Sequence, residues 1–526
     1  MKVLVSDKID QAGLDIFENQ AGIDLDVKTG LTKDELKEII GQYAALAIRS
    51  ATKVTKEILD AATNLKVIAR AGMGLDNVDI NAATQKGIAV MNTPGGNTVS
   101  TAEHAIAMMM ALTRNIPRAT RSMKALKWEK KLLQGREIRN KVLGVIGFGN
   151  IGSIVADLAK GLQMKVIVSD PNIPPEHIEA TGFDYVFLEA LYEKSDYITI
   201  HVPKMDSTID LLDTEAFSKM KDGVMVINCA RGGIVNETAL HDAIASGKVA
   251  GAALDVFSTE PPGDHPLLKM DQVIATPHLG ASTKEAQTNV AVAAASQIIA
   301  YLLHDTIINA VNVPSVTGEV LRQLKPFLYL SEKMGIMQAQ ISKGGVKKIH
   351  IEYIGNFPDL DLKPVAISGI KGLLSRVVKE AVNSVNAISL ANEMGIKFSE
   401  SASKDAGNFL NMIRMTIVSE SGTCVLEGTI LGNDDARIVR INKSRLDVMP
   451  EGHLSLIHPV DKPGSIGSIG MTLGKHDINI DKIMVGREDG GKRNLILLRT
   501  DTPVSSEVVK EIEGLDLVVS MIAFDL

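Results

Sequence analysis

Short runs of aliphatic and β-branched residues, each closing in turn chemistry and most followed by a stretch at helical spacing, recur from the amino terminus as far as His278. The first unit is "KVLVSD", then "KIDQAGLDIFENQ" at helical spacing, then a second apolar run, "IDLDVK". "YAALAIRS", "LKVIARAG" and "IAVMNTP" continue it. Alternation of this kind predicts a parallel sheet wound by helices. A long helix is expected from Thr98 through "TVSTAEHAIAMMMALTRNI", whose Ala and Met content suits packing between two domains. A second β-α-β series follows in "KVLGVIGFG", "KVIVSD", "YITIHVP", "VMVINCA", "GAALDVF" and "QVIATPH". The helix "STKEAQTNVAVAAASQIIAYLLHD" is then expected to return the chain to the first domain. That domain is therefore expected to be discontinuous, 1–97 with 284–312, around a second domain at 98–283.

"INAVNVPSV", residues 308–316, ends the series, with Pro314 as a linker position. Residues 317–450 mix helix and strand and carry no catalytic constellation. In 451–526 the order is strand "HLSLIHPV", helix "PGSIGSIGMTLGKHD", strand "INIDKIMVGRE", turn "DGGK", strand "RNLILLRTD", helix "SSEVVKEIEGL" and strand "VVSMIAFDL". This is the β-α-β-β-α-β order of a ferredoxin-like domain. The fold class is thus α/β: two Rossmann-like doubly wound parallel-sheet domains, then an α+β intervening domain and a ferredoxin-like domain.

Composition adds exclusions. A chain of 526 residues exceeds one hydrophobic core, and 45% hydrophobic with 23% charged residues is the balance of a chain that folds throughout. A net charge of -7 and a pI near 5.9 argue against a phosphate-backbone binder, so nucleic acid is not an expected partner. No run of about 18 apolar residues is seen, and "MKVLVSDKID" is acidic where a signal peptide stays apolar. A cytoplasmic protein without a membrane partner is expected. Cys229 and Cys424 are too few for a disulfide framework or a cysteine-based zinc site and read as small buried residues. No metal is expected.

Chemistry concentrates in the second series. "VIGFGNIG" sets Gly147, Gly149 and Gly152 in G-x-G-x-x-G spacing directly between a strand and a helix. Gly147 allows the tight turn, Gly149 lets the backbone approach a pyrophosphate, and Gly152 lets helix and strand pack closely. Asp170 ends the next strand, 23 residues after Gly147, where a carboxylate accepts hydrogen bonds from a ribose diol and repels a 2′-phosphate. NAD is therefore favoured over NADP; the bland alternative for Asp170 is a solvated turn residue.

Arg231 in "VMVINCARGGIV" follows a strand that reads as buried, and an unpaired guanidinium is seldom buried. Glu260 in "LDVFSTEPP" and His278 in "TPHLGAST" follow the next two strands, so all three share the sheet edge where ligands bind. Oxidising an alcohol by hydride transfer needs a base, suiting His278, with a carboxylate such as Glu260 to fix its tautomer. Arg231 would wait unpaired for a substrate carboxylate. Alternative readings are a turn residue for Glu260 and a structural pair with Asp255 for Arg231.

"GVIGFGNIG", "NCARGGIVNETAL", "GAALDVFSTEPP" and "TPHLGASTKEAQ" together resemble the D-isomer-specific 2-hydroxyacid dehydrogenases over roughly residues 1–312. The resemblance implies Arg231, Glu260 and His278 as the catalytic set, with His278 the acid/base. It implies cofactor contacts at Asn150 and Ile151 in the glycine loop, Asp170 on ribose, Val202 near adenine, Cys229 and Ala230 beside the nicotinamide, and Asp255 on its carboxamide. Met73, Leu279, Gly280 and Ala281 complete the implied set, although relatives often carry threonine at the Met73 position. "AIRSATKVT" is similar to the phosphate-binding stretch of members that oxidise 3-phospho-D-glycerate, which implies Arg49 with Ser50 for the substrate phosphate. Arg70 and the backbone from Gly72 to Gly74 would close on the carboxylate. The implied reaction is NAD-dependent oxidation of 3-phospho-D-glycerate to 3-phosphohydroxypyruvate, the first step of L-serine biosynthesis.

"HPVDKPGSIGSIGMTLGKHDINIDKI" resembles an ACT domain, an amino-acid-binding module, and 317–450 resembles the intervening domain of the long-form enzymes. An amino-acid effector is implied between Asp461 of one copy and Asn479 of another, in a homo-oligomer. The turn departs from the serine-binding pattern: Asp461 stands where Asn is expected and His458 is displaced by one. Two rivals remain, a glyoxylate or hydroxypyruvate reductase and a dinucleotide-sensing protein without turnover.

Overall fold

The computed structural model describes every residue except 315–317, 343, 359, 379–380 and 488–493. Ser315 and Val316 of the linker segment and the turn "DGGK" thus lie outside the described residues.

Five parallel strands form the first sheet: β1 (Lys2–Val5), β2 (Asp24–Val27), β3 (Ala45–Ile48), β4 (Val67–Arg70) and β5 (Ala89–Met91), in the order β2-β1-β3-β4-β5. β3 and β4 are buried almost throughout, which is why they read as unbroken apolar runs. The strand order reverses between β1 and β3, and Arg49 follows β3 at that point, in mid-sheet. The helix Lys284–His304, capped by the Thr283 side chain on the N–H of Ala286, packs on this unit against the helix Gln11–Glu18. The approach is close: a Cβ on Gly13 would sit 2.8 Å from Ala291. By length and composition the Lys284–His304 helix is apolar enough to cross a membrane. Its Val290, Ala294, Ala295 and Ile298 are instead part of the core under the first sheet.

The second sheet has seven parallel strands: β6 (Val142–Ile146), β7 (Lys165–Ser169), β8 (Asp184–Tyr185), β9 (Tyr197–Ile200), β10 (Val224–Asn228), β11 (Val249–Leu254) and β12 (Val273–Ala275). Their order, β12-β11-β10-β9-β6-β7-β8, puts the switch point between β6 and β9. The two-residue edge strand β8 is too short to carry a periodic signal. The helix expected to run to Ile116 stops at Thr113, because Asn115 takes a left-handed conformation at φ 52°.

A third sheet is built from β13 (Val346–Gly355), β14 (Lys397–Ser403), β15 (Asn411–Ser419), β16 (Gly422–Leu431), β17 (Asp435–Ile441) and β18 (Ser444–Val448), antiparallel except for β13 with β14. The last sheet holds β19 (His453–Pro459), β20 (Ile480–Arg487), β21 (Asn494–Thr500) and β22 (Val518–Asp525) in the ferredoxin-like order β20-β21-β19-β22. One face is covered by its own two helices through Ile469, Leu473, Val508 and Ile512. Leu454, Leu456, Leu495 and Phe524 on the other face join the core of the preceding unit.

Candidate active site

The glycine loop opens at the switch point of the second sheet. Gly147 sits at φ +91°, and a Cβ there would lie 2.7 Å from the carbonyl of His201. A Cβ at Gly152 would overlap the Gly147 carbonyl, so the helix beginning at Asn150 packs on its strand only as glycine. At Gly149, which caps that helix, nothing lies within 4 Å of a Cβ: the backbone faces open space there. Bare N–H groups at a helix start with room before them fit the pyrophosphate of a dinucleotide. Ile151 and Val202 are half-buried beside the loop. Asp170 is no solvated turn residue: it is 8% exposed, and its two oxygens accept the N–H groups of Phe148 and Asn172, both at 2.8 Å. It therefore clamps the glycine loop to the end of β7.

At the ends of β10, β11 and β12 the catalytic candidates converge. Nδ1 of His278 lies 2.8 Å from Oε2 of Glu260, whose Oε1 accepts the N–H of Phe257 at 3.1 Å. Glu260 is thus held at both oxygens and is more than a turn residue. His278 is half-exposed and adopts φ +55°, with its N–H on the Asp255 carbonyl at 3.0 Å. Asp255, expected on the nicotinamide carboxamide, turns inward instead and is 1% exposed. Its Oδ1 accepts from Thr276 Oγ1 at 2.5 Å and Leu279 N at 2.7 Å, and its Oδ2 from Gly280 N at 2.8 Å. The backbone amides of Leu279 and Gly280 are spent in this way, while Ala281 and the Leu279 side chain stay partly exposed. Burial works to raise the Asp255 carboxyl pKa, but the hydrogen bonds from His104, Thr276 and the backbone outweigh it and hold the group below its usual range. Cys229 is buried, and burial, with the charge of Asp255, pushes its thiol up and keeps it protonated. Ala230 is half-buried, its N–H donated to Asn228 Oδ1.

Arg231 is not unpaired, and its partner is not Asp255. Its Nε lies 3.3 Å from Oδ2 of Asp76, in the first domain, and Nη1 donates to the Ala230 carbonyl at 2.7 Å. Sequence reasoning missed Asp76, which stands 155 positions away and carries no motif signal beyond its place in "GMGLDN". Around this pair the first domain contributes cations. Arg70, at the end of β4, donates to the Gly74 carbonyl and leaves Nε buried without a partner. Burial, then the neighbouring charge of Arg231, and more weakly Arg49, push the Arg70 guanidinium down to about 10. Arg70 thus senses the charges of both Arg231 and Arg49, offset in part by Asp76 and Asp7, and such a group of guanidiniums could hold an anion. Arg49 is positioned by its N–H on Asp7 Oδ2 at 2.6 Å, with Ser50 exposed beside it. Gly72 N–H donates to Thr93 Oγ1, and the Met73 carbonyl accepts from Asn92, both at 2.8 Å.

His201, also missed, lies beneath the glycine loop with Nδ1 buried and unpartnered, and burial pushes it down to about 3. In the last domain a cavity of about 180 Å³ is lined by Val460, Lys462, Pro463, Gly464, Ser465 and Ile466. Asp461 is exposed beside it, and Asn479 donates to Asp501 Oδ2 at 2.8 Å.

Residues 106–280, which carry the doubly wound sheet, its glycine loop and both Glu260 and His278, match the family described as D-isomer specific 2-hydroxyacid dehydrogenase, NAD binding domain: the fold and this match define an NAD-binding 2-hydroxyacid dehydrogenase. Residues 323–442 match the D-3-phosphoglycerate dehydrogenase intervening domain and 453–516 the ACT domain. D-3-phosphoglycerate dehydrogenase of Archaeoglobus fulgidus is 43% identical over 98% of this chain and 98% of its own length. The Synechocystis protein of the same name is 42% identical over 97% and 92%. Among solved structures, an NAD-dependent formate dehydrogenase from Staphylococcus aureus in complex with NAD matches 60% of this chain and 100% of its own, at TM-score 0.55 and 29% identity. The chain belongs to the D-3-phosphoglycerate dehydrogenase family.

Proposed function

We infer that this protein oxidises 3-phospho-D-glycerate to 3-phosphohydroxypyruvate with NAD, the first step of L-serine biosynthesis. The carrying observation is the placement of the His278–Glu260 pair and the Arg231 guanidinium at one sheet edge, against the arginines of the first domain. Bound along the loop from Gly147 to Gly152 with its ribose at Asp170, NAD supplies the hydride acceptor. His278 takes the hydroxyl proton on Nε2, while Glu260 holds Nδ1 and stabilises the imidazolium that forms. Arg231 and Arg70, with the backbone at Gly72 and Gly74, orient the substrate carboxylate, and Arg49 with Ser50 holds the phosphate.

In this reading 1–97 with 284–312 is the substrate domain, 98–283 the NAD domain, 317–450 the intervening domain and 451–526 the ACT domain. The protein works in the cytoplasm as a homo-oligomer, with an amino-acid effector where the turn before Pro463 and Gly464, at Asp461, meets a partner's Asn479.

The test is NADH absorbance with 3-phosphoglycerate and NAD, the product trapped, against a panel of 2-hydroxy acids and NADP. No NADH from any acid would leave a dinucleotide-binding protein; preference for an unphosphorylated acid would favour the reductase reading. An unchanged rate on titration with serine would remove serine as the effector.

A further inference from the structure

The turn carrying His278 is gripped from behind by the helix Thr98–Thr113. Three residues on one face of that helix reach it. Ser100 Oγ donates to the Gly280 carbonyl at 2.8 Å, Thr101 Oγ1 lies 3.3 Å from the same oxygen, and His104 Nε2 lies 3.2 Å from both Thr276 Oγ1 and Asp255 Oδ1. Positions 100, 101 and 104 share a face because side chains three and four apart stack on a helix.

We propose that His104 is a positioning residue for the reaction: it completes the ring of donors around the buried Asp255 carboxylate and so fixes the turn 276–280 on which His278 stands. This rests on the reading of His278 as the acid/base. Asp255 is the centre of the ring. Its carbonyl holds the N–H of His278, its carboxylate holds the next two backbone amides, and among the described residues Thr276 and His104 supply the side-chain donors. His278 sits at φ +55°, a conformation a non-glycine residue keeps only when its surroundings impose it. Each missing donor to a buried carboxylate therefore loosens the turn, and a displacement of about 1 Å at a proton-transfer group lowers turnover strongly. His104 touches neither the glycine loop nor Arg231 in any hydrogen bond, so substrate and cofactor binding should change less than kcat. Its outer edge faces a cavity of about 520 Å³, whose charged lining is Arg118, Arg121, Lys269 and Asp271, with Arg121 already on Asp271 at 2.6 Å.

Two uncharged amides separate positioning from packing. His104→Gln reaches Asp255 and His104→Asn falls short. Expected for the Asn variant is a fall in kcat of about 10-fold or more, with the KM values and the Kd for NADH changing by a smaller factor than kcat. The Gln variant should recover most of kcat. Hydrogen exchange of the 278–280 amides should quicken in the Asn variant and not in the Gln variant, a readout that stands even if no substrate is turned over. Equal kcat and equal exchange in wild type, Gln and Asn would overturn the proposal, as would parallel losses in both variants. Should the Asn variant not fold, Thr276→Ala removes the other side-chain donor and is read in the same way.

Discussion

Gly74 and Arg231 are in contact across the two α/β domains: a Cβ built on Gly74 would overlap Nη2 of Arg231. It is the guanidinium, with the Asp76 carboxylate, that a methyl group here would meet, and not a strained turn. Gly74→Ala should therefore displace Arg231 and lower kcat/KM for the hydroxy acid by about 10- to 100-fold, with NADH affinity within twofold by calorimetry. Unchanged kinetics would make the contact incidental to substrate binding.

The His278–Glu260 bond at 2.8 Å gives a graded expectation. His278→Gln removes the proton acceptor and should lower kcat by about 10²- to 10⁴-fold, the usual range for a general base. Glu260→Gln keeps the shape and loses the charge behind the imidazole, so its loss should be smaller and confined to kcat. Steady-state rates with saturating NAD decide it, and full activity in His278→Gln would dismiss it as the base.

Arg49 separates phosphorylated from unphosphorylated acids. Arg49→Ala should raise KM for 3-phosphoglycerate at least 10-fold, consistent with the roughly 1.5–3 kcal/mol of a charged hydrogen bond. Any unphosphorylated 2-hydroxy acid that the protein accepts should be affected little. Equal effects on both would place the phosphate elsewhere.

Gly149 faces open space, so a larger side chain there should leave the fold intact and block the cofactor. Gly149→Leu should keep the wild-type thermal midpoint in the absence of ligand and lose the rise that NADH confers on wild type. A retained rise would move the pyrophosphate away from this loop.

His201 is pushed down to about 3 by burial, against about 6.5 for the unfolded chain. Above pH 6.5 neither state is protonated and the group has no effect. Below it the unfolded chain takes up a proton that the folded one refuses, and stability falls by up to about 1.4 kcal/mol per unit. Thermal midpoints at pH 7.5 and 5.5 should therefore drop more in wild type than in His201→Asn.

Much of this architecture was legible along the chain because parallel strands buried on both faces announce themselves as apolar runs and their helices by period. The glycine loop, Asp170, Glu260 and His278 were legible for a related reason: each stands directly after such a strand, and strand ends of one parallel sheet share an edge. The partner of Arg231 was not. Asp76 meets it only because the loop after β4 in one domain folds onto the loop after β10 in the other, and no local pattern records that meeting.

By itself, then, the sequence determined the two parallel sheets, the ferredoxin-like sheet, the glycine loop and the strand ends at which Arg231, Glu260 and His278 stand, since these follow from periodicity and from glycine's freedom at single positions, whereas the six-stranded mixed sheet of the intervening unit was legible only as helix mixed with strand. Only the tertiary structure decided that Asp255 faces inward to brace the turn of His278, that His104 reaches the same carboxylate from a helix 151 positions earlier, and that burial, with the charge of Arg231 close by, pushes Arg70 down to about 10. Hydrogen bonds and charges act over distances in space, and those distances are set when the chain packs.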